Sequence, residues 1–326
     1  MFGKLHWIGP VALLAWLPGS LISQSAGFTG PVSGFVFNRS SRTIQPLNGI
    51  PGAAYTGPSV LNQVDWASVA PDGAWAFVAA SGQGAFVGGL SGSSAAPLSV
   101  NGLLASVDRV VWNRSGSAAV VYSSSANQLQ RVQFSAGAAS ADSPVDLSPW
   151  GQPSALAIDP AGQTMAFAIA GSGIYLLHAG QSPLAISSIS QPGALAFDDT
   201  GLRLFAADLA TQQVVVFDSH GTPSPFVSLV QSEGSVVKPV GLAVSGGGRY
   251  LLLADRASQS VLVYDLVSAT LANTIPLSSA PSRLEALSSA PSFLLNGGNR
   301  GESLLILDAR QLPYVYFVPA TQEARQ

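Results

Sequence analysis

One phrase returns three times in this chain, each time after a proline: Pro153-Ser-Ala-Leu-Ala-Ile-Asp159, Pro192-Gly-Ala-Leu-Ala-Phe-Asp198 and Pro239-Val-Gly-Leu-Ala-Val-Ser245. A Gly-containing turn follows every copy (Pro160-Ala-Gly162, Asp199-Thr-Gly201, Gly246-Gly-Gly248), then an apolar strand such as Leu202 to Ala207 or Tyr250 to Ala254. The longest agreement is Ala207-Asp-Leu-Ala-Thr-Gln-Gln-Val-Val-Val-Phe-Asp218 with Ala254-Asp-Arg-Ala-Ser-Gln-Ser-Val-Leu-Val-Tyr-Asp265, 47 residues further on and without a gap. Self-similarity at such a period marks a repeat architecture, in which one small supersecondary unit is covered by its neighbours.

Weaker copies extend the pattern. Trp66-Ala-Ser-Val-Ala-Pro-Asp-Gly73 and Arg109-Val-Val-Trp-Asn-Arg-Ser-Gly116 lie upstream; Leu284 to Leu287, Phe293 to Leu295, Ser303 to Asp308 and Tyr314 to Val318 supply four strands downstream. Six four-stranded units therefore begin near residues 65, 108, 153, 192, 239 and 282. Two further strands, Gly34 to Asn38 and Thr43 to Leu47, stand before them and read as the third and fourth strands of a seventh, partial unit. Ala and Gly alternate with Leu, Ile and Val along the first strand of each unit, so both faces of each small sheet are apolar and need cover. A ring of such sheets covers every face except the rims, and small residues belong where the sheets converge on the axis. The expectation is an all-β β-propeller of seven blades with a partial first blade, or six if the first two strands do not count as one.

The phrase Phe205-Ala-Ala-Asp-Leu-Ala-Thr-Gln-Gln-Val-Val-Val-Phe-Asp218 resembles the NHL and YVTN type of bacterial propeller repeat. The likeness is good over 192 to 265 and loose over most of 65 to 310, and the Gly-His and Trp-Asp signature of WD40 blades is missing. The resemblance implies the WD40-like fold and leaves activity open, because scaffolds, lyases, lactonases and sugar binders share it.

Composition narrows what the ring does. Charged residues are 10% of the 326, against the usual quarter or so, and the net charge is −3, which argues against a nucleic-acid surface. The N-terminus runs Met1-Phe2-Gly3-Lys4, an apolar stretch from Leu5 to Ile22, then Ser23-Gln24-Ser25-Ala26, the layout of a secretory signal peptide over 1–25. Residues 26–326 then form one mature domain, secreted or periplasmic, expected to be monomeric and without a membrane span. With no cysteine there are no disulfides, thiolate metal sites or cysteine nucleophiles.

No catalytic residue, metal site or cofactor can be assigned. The lactonase likeness implies a calcium held by a Glu, two Asn and an Asp in the channel, yet Glu285 is the sole Glu and Asn113 the sole Asn candidate in innermost strands. His178 and His220 each follow a third strand, and Asp208, Asp255, Asp218, Asp265 and Asp308 recur at strand ends, where an Asp accepts N–H bonds of the next turn. Residues that break the repeat carry more information: Arg109, Arg283 and Glu285 at innermost strands, and Trp150, Glu233 and Lys238 in loops leading to them. These six are the expected ligand or partner surface. The expected function is a non-enzymatic scaffold binding a protein, peptide or glycan; the alternative is a lactonase-like or lyase enzyme working in the channel.

Overall fold

The computed structural model describes residues 30–92, 95–135, 137–218, 237–297 and 302–319, and the backbone of Pro223–Ser228. It is a propeller of seven antiparallel sheets, and among the described residues its helix content is one 3-10 turn, Gly246–Gly248. Each blade follows chain order from the axis outward. The innermost strands are Val32–Asn38, Trp66–Val69, Arg109–Trp112, Ala155–Ile158, Pro192–Phe197, Pro239–Val244 and Glu285–Ser288, for blades 1 to 7. Blades 2 and 4 to 7 have four strands; blade 3 splits its outermost strand into Ala138–Ala141 and Val145–Asp146.

The seven-blade expectation holds, with one correction inside blade 1. Val32–Asn38 and Thr43–Asn48 are its first and second strands, followed by the short Tyr55–Thr56, and not its third and fourth. Alternation decides this. Phe35 and Ile44 pack with Ala67, Ala76 and Val78 of blade 2, whereas Val36 and Leu47 pack with Leu287, Leu294, Ile306 and Tyr316 of blade 7. A strand with an apolar neighbour on both faces sits inside the ring, and blade 1 thereby closes it without lending a strand to blade 7.

Seven buried apolar clusters occupy the seven gaps between adjacent blades. The gap between blades 2 and 3 is aromatic: Trp66, Phe77, Phe86, Trp112, Phe134 and Trp75 form a continuous run with centroid separations of 5.0 to 5.7 Å. In the other gaps aliphatic side chains predominate, joined by scattered aromatics and, between blades 3 and 4, by Tyr122, Phe167, Tyr175 and Trp150.

The turn linking first and second strands repeats the same two backbone bonds in blades 2 to 6. The amides of Ala70, Asn113, Asp159, Asp198 and Ser245 each donate to the carbonyl five residues on, and Gly73, Gly116, Gly162, Gly201 and Gly248 donate back to them. Those glycines have φ between 67° and 73°, the left-handed conformation that a Cβ penalises. At Gly162 a Cβ would also lie 2.5 Å from the Cβ of Ala118 in the preceding blade, so the turn serves as a spacer between blades as well as a bend.

Burial in the gaps makes the fold sensitive to alkali. Tyr264, between blades 5 and 6, and Tyr316, between blades 7 and 1, have phenol pKa values pushed from 10.0 up to about 12, by burial first and then by Asp255 and Asp308 respectively. A raised phenol pKa means that the neutral form is favoured in the fold, so stability is intact below pH 10 and is lost as pH rises from 10 toward 12. Titration followed together by tyrosinate absorbance and circular dichroism should show part of the tyrosine ionisation coinciding with loss of sheet structure.

Candidate functional site

The innermost strands enclose a cavity of about 800 Å³ on the propeller axis. Its wall is mostly small and apolar, with Ala155, Ala157, Ala194, Ala196, Gly241 and Ala243 among the lining residues. Small residues on these strands let neighbouring blades converge: a Cβ at Gly241 would lie 2.6 Å from the Cβ of Leu284 in the next blade. Polar groups enter it in two sets, one from the starts of innermost strands and one from their ends.

The first set contains three of the residues expected from sequence: Arg109, Arg283 and Glu285 all line the cavity. Arg283 Nη1 donates to Glu285 Oε2 at 2.9 Å. Glu285 Oε1 accepts from Ser68 Oγ at 3.3 Å, and Ser68 Oγ accepts from the indole nitrogen of Trp112 at 3.1 Å. A hydrogen-bonded chain thus runs from blade 3 through blade 2 to blade 7. Arg109 Nη1 donates to the carbonyl of Pro153 at 3.1 Å, and its guanidinium lies 5.7 Å from the Tyr122 ring centre.

The second set was not singled out from sequence as part of a site. Arg114, just past the innermost strand of blade 3, forms an ion pair with Asp199 of blade 5 and donates from Nε to the carbonyl of Ser289 in blade 7 at 3.4 Å. It therefore crosses this end of the channel. Arg114 and Asp199 occupy one repeat position, directly after residues with the same turn bond, where blades 2 and 4 carry Pro71 and Pro160. A charged residue at a place held by Pro or Gly in blades 2, 4 and 6 is the signal that could have found it.

Trp150 and Lys238 do not line the cavity. The Trp150 ring packs 6.4 Å from Phe167 and 5.9 Å from Tyr175, with the apolar cluster between blades 3 and 4. Lys238 is exposed, and its backbone amide donates to Asp255 Oδ1 at 2.7 Å. Glu233 and His220 lie outside the described residues. His178 ends the third strand of blade 4, where Nδ1 is 3.0 Å from Thr164 Oγ1, beside an outer cleft and away from the axis.

The recurrent aspartates hold turns. Asp208 accepts from Ala210 N and Thr211 Oγ1, Asp255 from Ala257 N and Ser258 N, and Asp265 from Val267 N and Ser268 N. Asp198, at the channel wall, is pushed up by burial, but bonds from Arg203, Thr200 and the Arg203 amide together hold its carboxyl below the usual range. For a lactonase-type calcium the donors do not fit. Asn113 already bonds Ser115, Ser117, Pro160 and Ala118, Glu285 is engaged as above, and among the described residues no group of three or more His, Asp or Glu is placed to hold a metal ion.

No protein-family model and no curated protein sequence matches the chain. Solved structures do match it in shape. A proposed 6-phosphogluconolactonase from Bacteroides uniformis superposes with a TM-score of 0.60 at 14% identity, over 89% of this chain and 96% of its own. Kuenenia stuttgartiensis hydrazine synthase superposes with a TM-score of 0.54 at 12% identity, over 94% of this chain and 100% of the matched one. At such identities the likeness is one of fold.

Proposed function

We propose that this chain is an exported, non-enzymatic propeller of the NHL/YVTN kind that binds the polar end of a protein, peptide or glycan at the channel mouth formed by Arg109, Arg283 and Glu285. One observation carries the reading: every carboxylate lining the cavity is held by an arginine. Glu285 pairs with Arg283, Asp199 with Arg114 and Asp198 with Arg203. A carboxylate locked in an ion pair is a poor general base, because proton uptake breaks the pair. The same paired charges around an apolar bore make a directional recognition surface. Trp150 and Lys238, with Glu233, flank the mouth in sequence and belong to the proposed partner surface.

A peptide and glycan array probed with mature protein tests this. At least one ligand should bind, and Arg283→Ala should weaken it roughly 5- to 150-fold, the span of a hot-spot side chain. A panel of lactones should hydrolyse at the uncatalysed rate with or without calcium. Hydrolysis that needs calcium and disappears in Glu285→Gln would replace the binding reading with the lactonase-like one. Export is checked by intact mass of secreted or periplasmic material: cleavage between about residues 19 and 27 is expected, and retention of Trp7 and Trp16 would refute it.

A further inference from the structure

The charges at the two ends of the channel do not balance in the same way. At the Arg114 end, Arg114 is matched by Asp199, and Asp198 by Arg203. At the other end Arg283 is matched by Glu285. Among the described residues no carboxylate pairs with Arg109. Its chain neighbour Asp108 directs its carboxylate to the amide and hydroxyl of Ser124. The two contacts Arg109 does make, one carbonyl and one aromatic face, support a guanidinium without cancelling its charge. Beyond it lies the bore with its alanines, crossed at the far end by Arg114.

Resting on the reading of this mouth as a binding site, we infer that the channel takes a small monocarboxylate with a slim apolar body. The carboxylate meets Arg109, whose fork of N–H donors suits two parallel bonds to it. The apolar body lies along Ala155, Ala157, Ala194, Ala196 and Ala243. Charge selects against other anions. Arg109, Arg283 and Glu285 sum to a single positive charge, which one carboxylate neutralises; a phosphate monoester, carrying about −1.5 to −2, brings excess negative charge toward Glu285. A neutral ligand would desolvate Arg109 without replacing its counterion, at a cost.

Calorimetric titration of mature protein with octanoate, butyrate, octyl phosphate and octanol tests the inference, using wild type, Arg109→Gln and Arg283→Gln. Octanoate should bind more tightly than the other three, with a melting temperature raised by the ligand. Arg109→Gln should weaken octanoate roughly tenfold or more, as loss of a charge-assisted pair does, and leave octanol unchanged. Equal binding of octanoate and octanol, tighter binding of octyl phosphate, or an unaffected Arg109→Gln would overturn it. If no probe binds wild type while array ligands still depend on Arg283, the mouth stands as a binding site and the monocarboxylate falls. If neither the probes nor the array ligands respond to Arg109 or Arg283, both readings fall together.

Discussion

Gly34→Ala should destabilise the protein by about 3 kcal/mol, the upper range for overpacking a filled interface, because Gly34 sits at the point where the ring closes. A Cβ there would lie 2.5 Å from the carbonyl oxygen of Leu287 and 2.9 Å from its Cγ, with φ at +155°. The obstacle includes backbone of blade 7, which a rotamer change cannot move. Relief requires blades 1 and 7 to part, and parting exposes the cluster of Val36, Leu47, Leu287, Leu294 and Ile306. Gly52→Ala is the control: its φ is +85° but a Cβ there meets nothing within 4 Å, so only the backbone penalty of about 1 to 2 kcal/mol applies. Urea unfolding midpoints of the two variants should separate in that order. Equal midpoints would mean that the seam between first and last blades is loose.

Arg131→Ala should cost about 1 to 3 kcal/mol, the range for leaving buried hydrogen-bonding groups unsatisfied. Arg131 is 6% exposed on the third strand of blade 3, far from the axis. Its Nε donates to Asp142 at 2.8 Å, and its Nη1 donates to the carbonyl of Gly162 at 2.8 Å and to Gln163 Oε1 at 3.2 Å, both in the first turn of blade 4. The guanidinium therefore stitches two blades together through the same turn that Gly162 spaces. Removal leaves the Gly162 carbonyl without this donor and a void where the side chain lay. Asp142→Asn should cost less, since Asp142 is 37% exposed and water can reach what remains. Arg131→Met, which refills part of the void, should fall between wild type and Arg131→Ala. Denaturation midpoints decide the ranking, and a neutral Arg131→Ala would show that the apolar cluster alone holds blades 3 and 4.

Short-range chemistry made the blades readable from sequence. A Gly at φ near 70° in the first turns of blades 2 to 6, an Asp capping the next turn in blades 5 and 6 and two-residue alternation along strands are all specified within a dozen residues, so they survive as a repeated phrase. The same locality made the aspartates legible as turn residues. Departure from the repeat pointed to Arg109, Arg283 and Glu285, and these line one cavity.

Other features depend on which repeats become neighbours. Blade 1 was assigned the wrong strands of its sheet because the place of Val32–Asn38 is fixed by Leu287 and Val36 meeting across the seam, a contact between opposite ends of the chain. Arg114 bridges two equal repeat positions in non-adjacent blades, so no local pattern marks its partner. Trp150 sits in a polar loop by sequence yet packs with Phe167 and Tyr175, because the loop folds back over the gap between blades. The sequence alone determined the repeat, its strands and its turns, since those rest on bonds closed within a few residues. Only the tertiary structure decided how the ring closes, which charges face each other across the axis and that Arg109 meets no carboxylate among the described residues, since those rest on distances between blades that each repeat, read alone, does not contain.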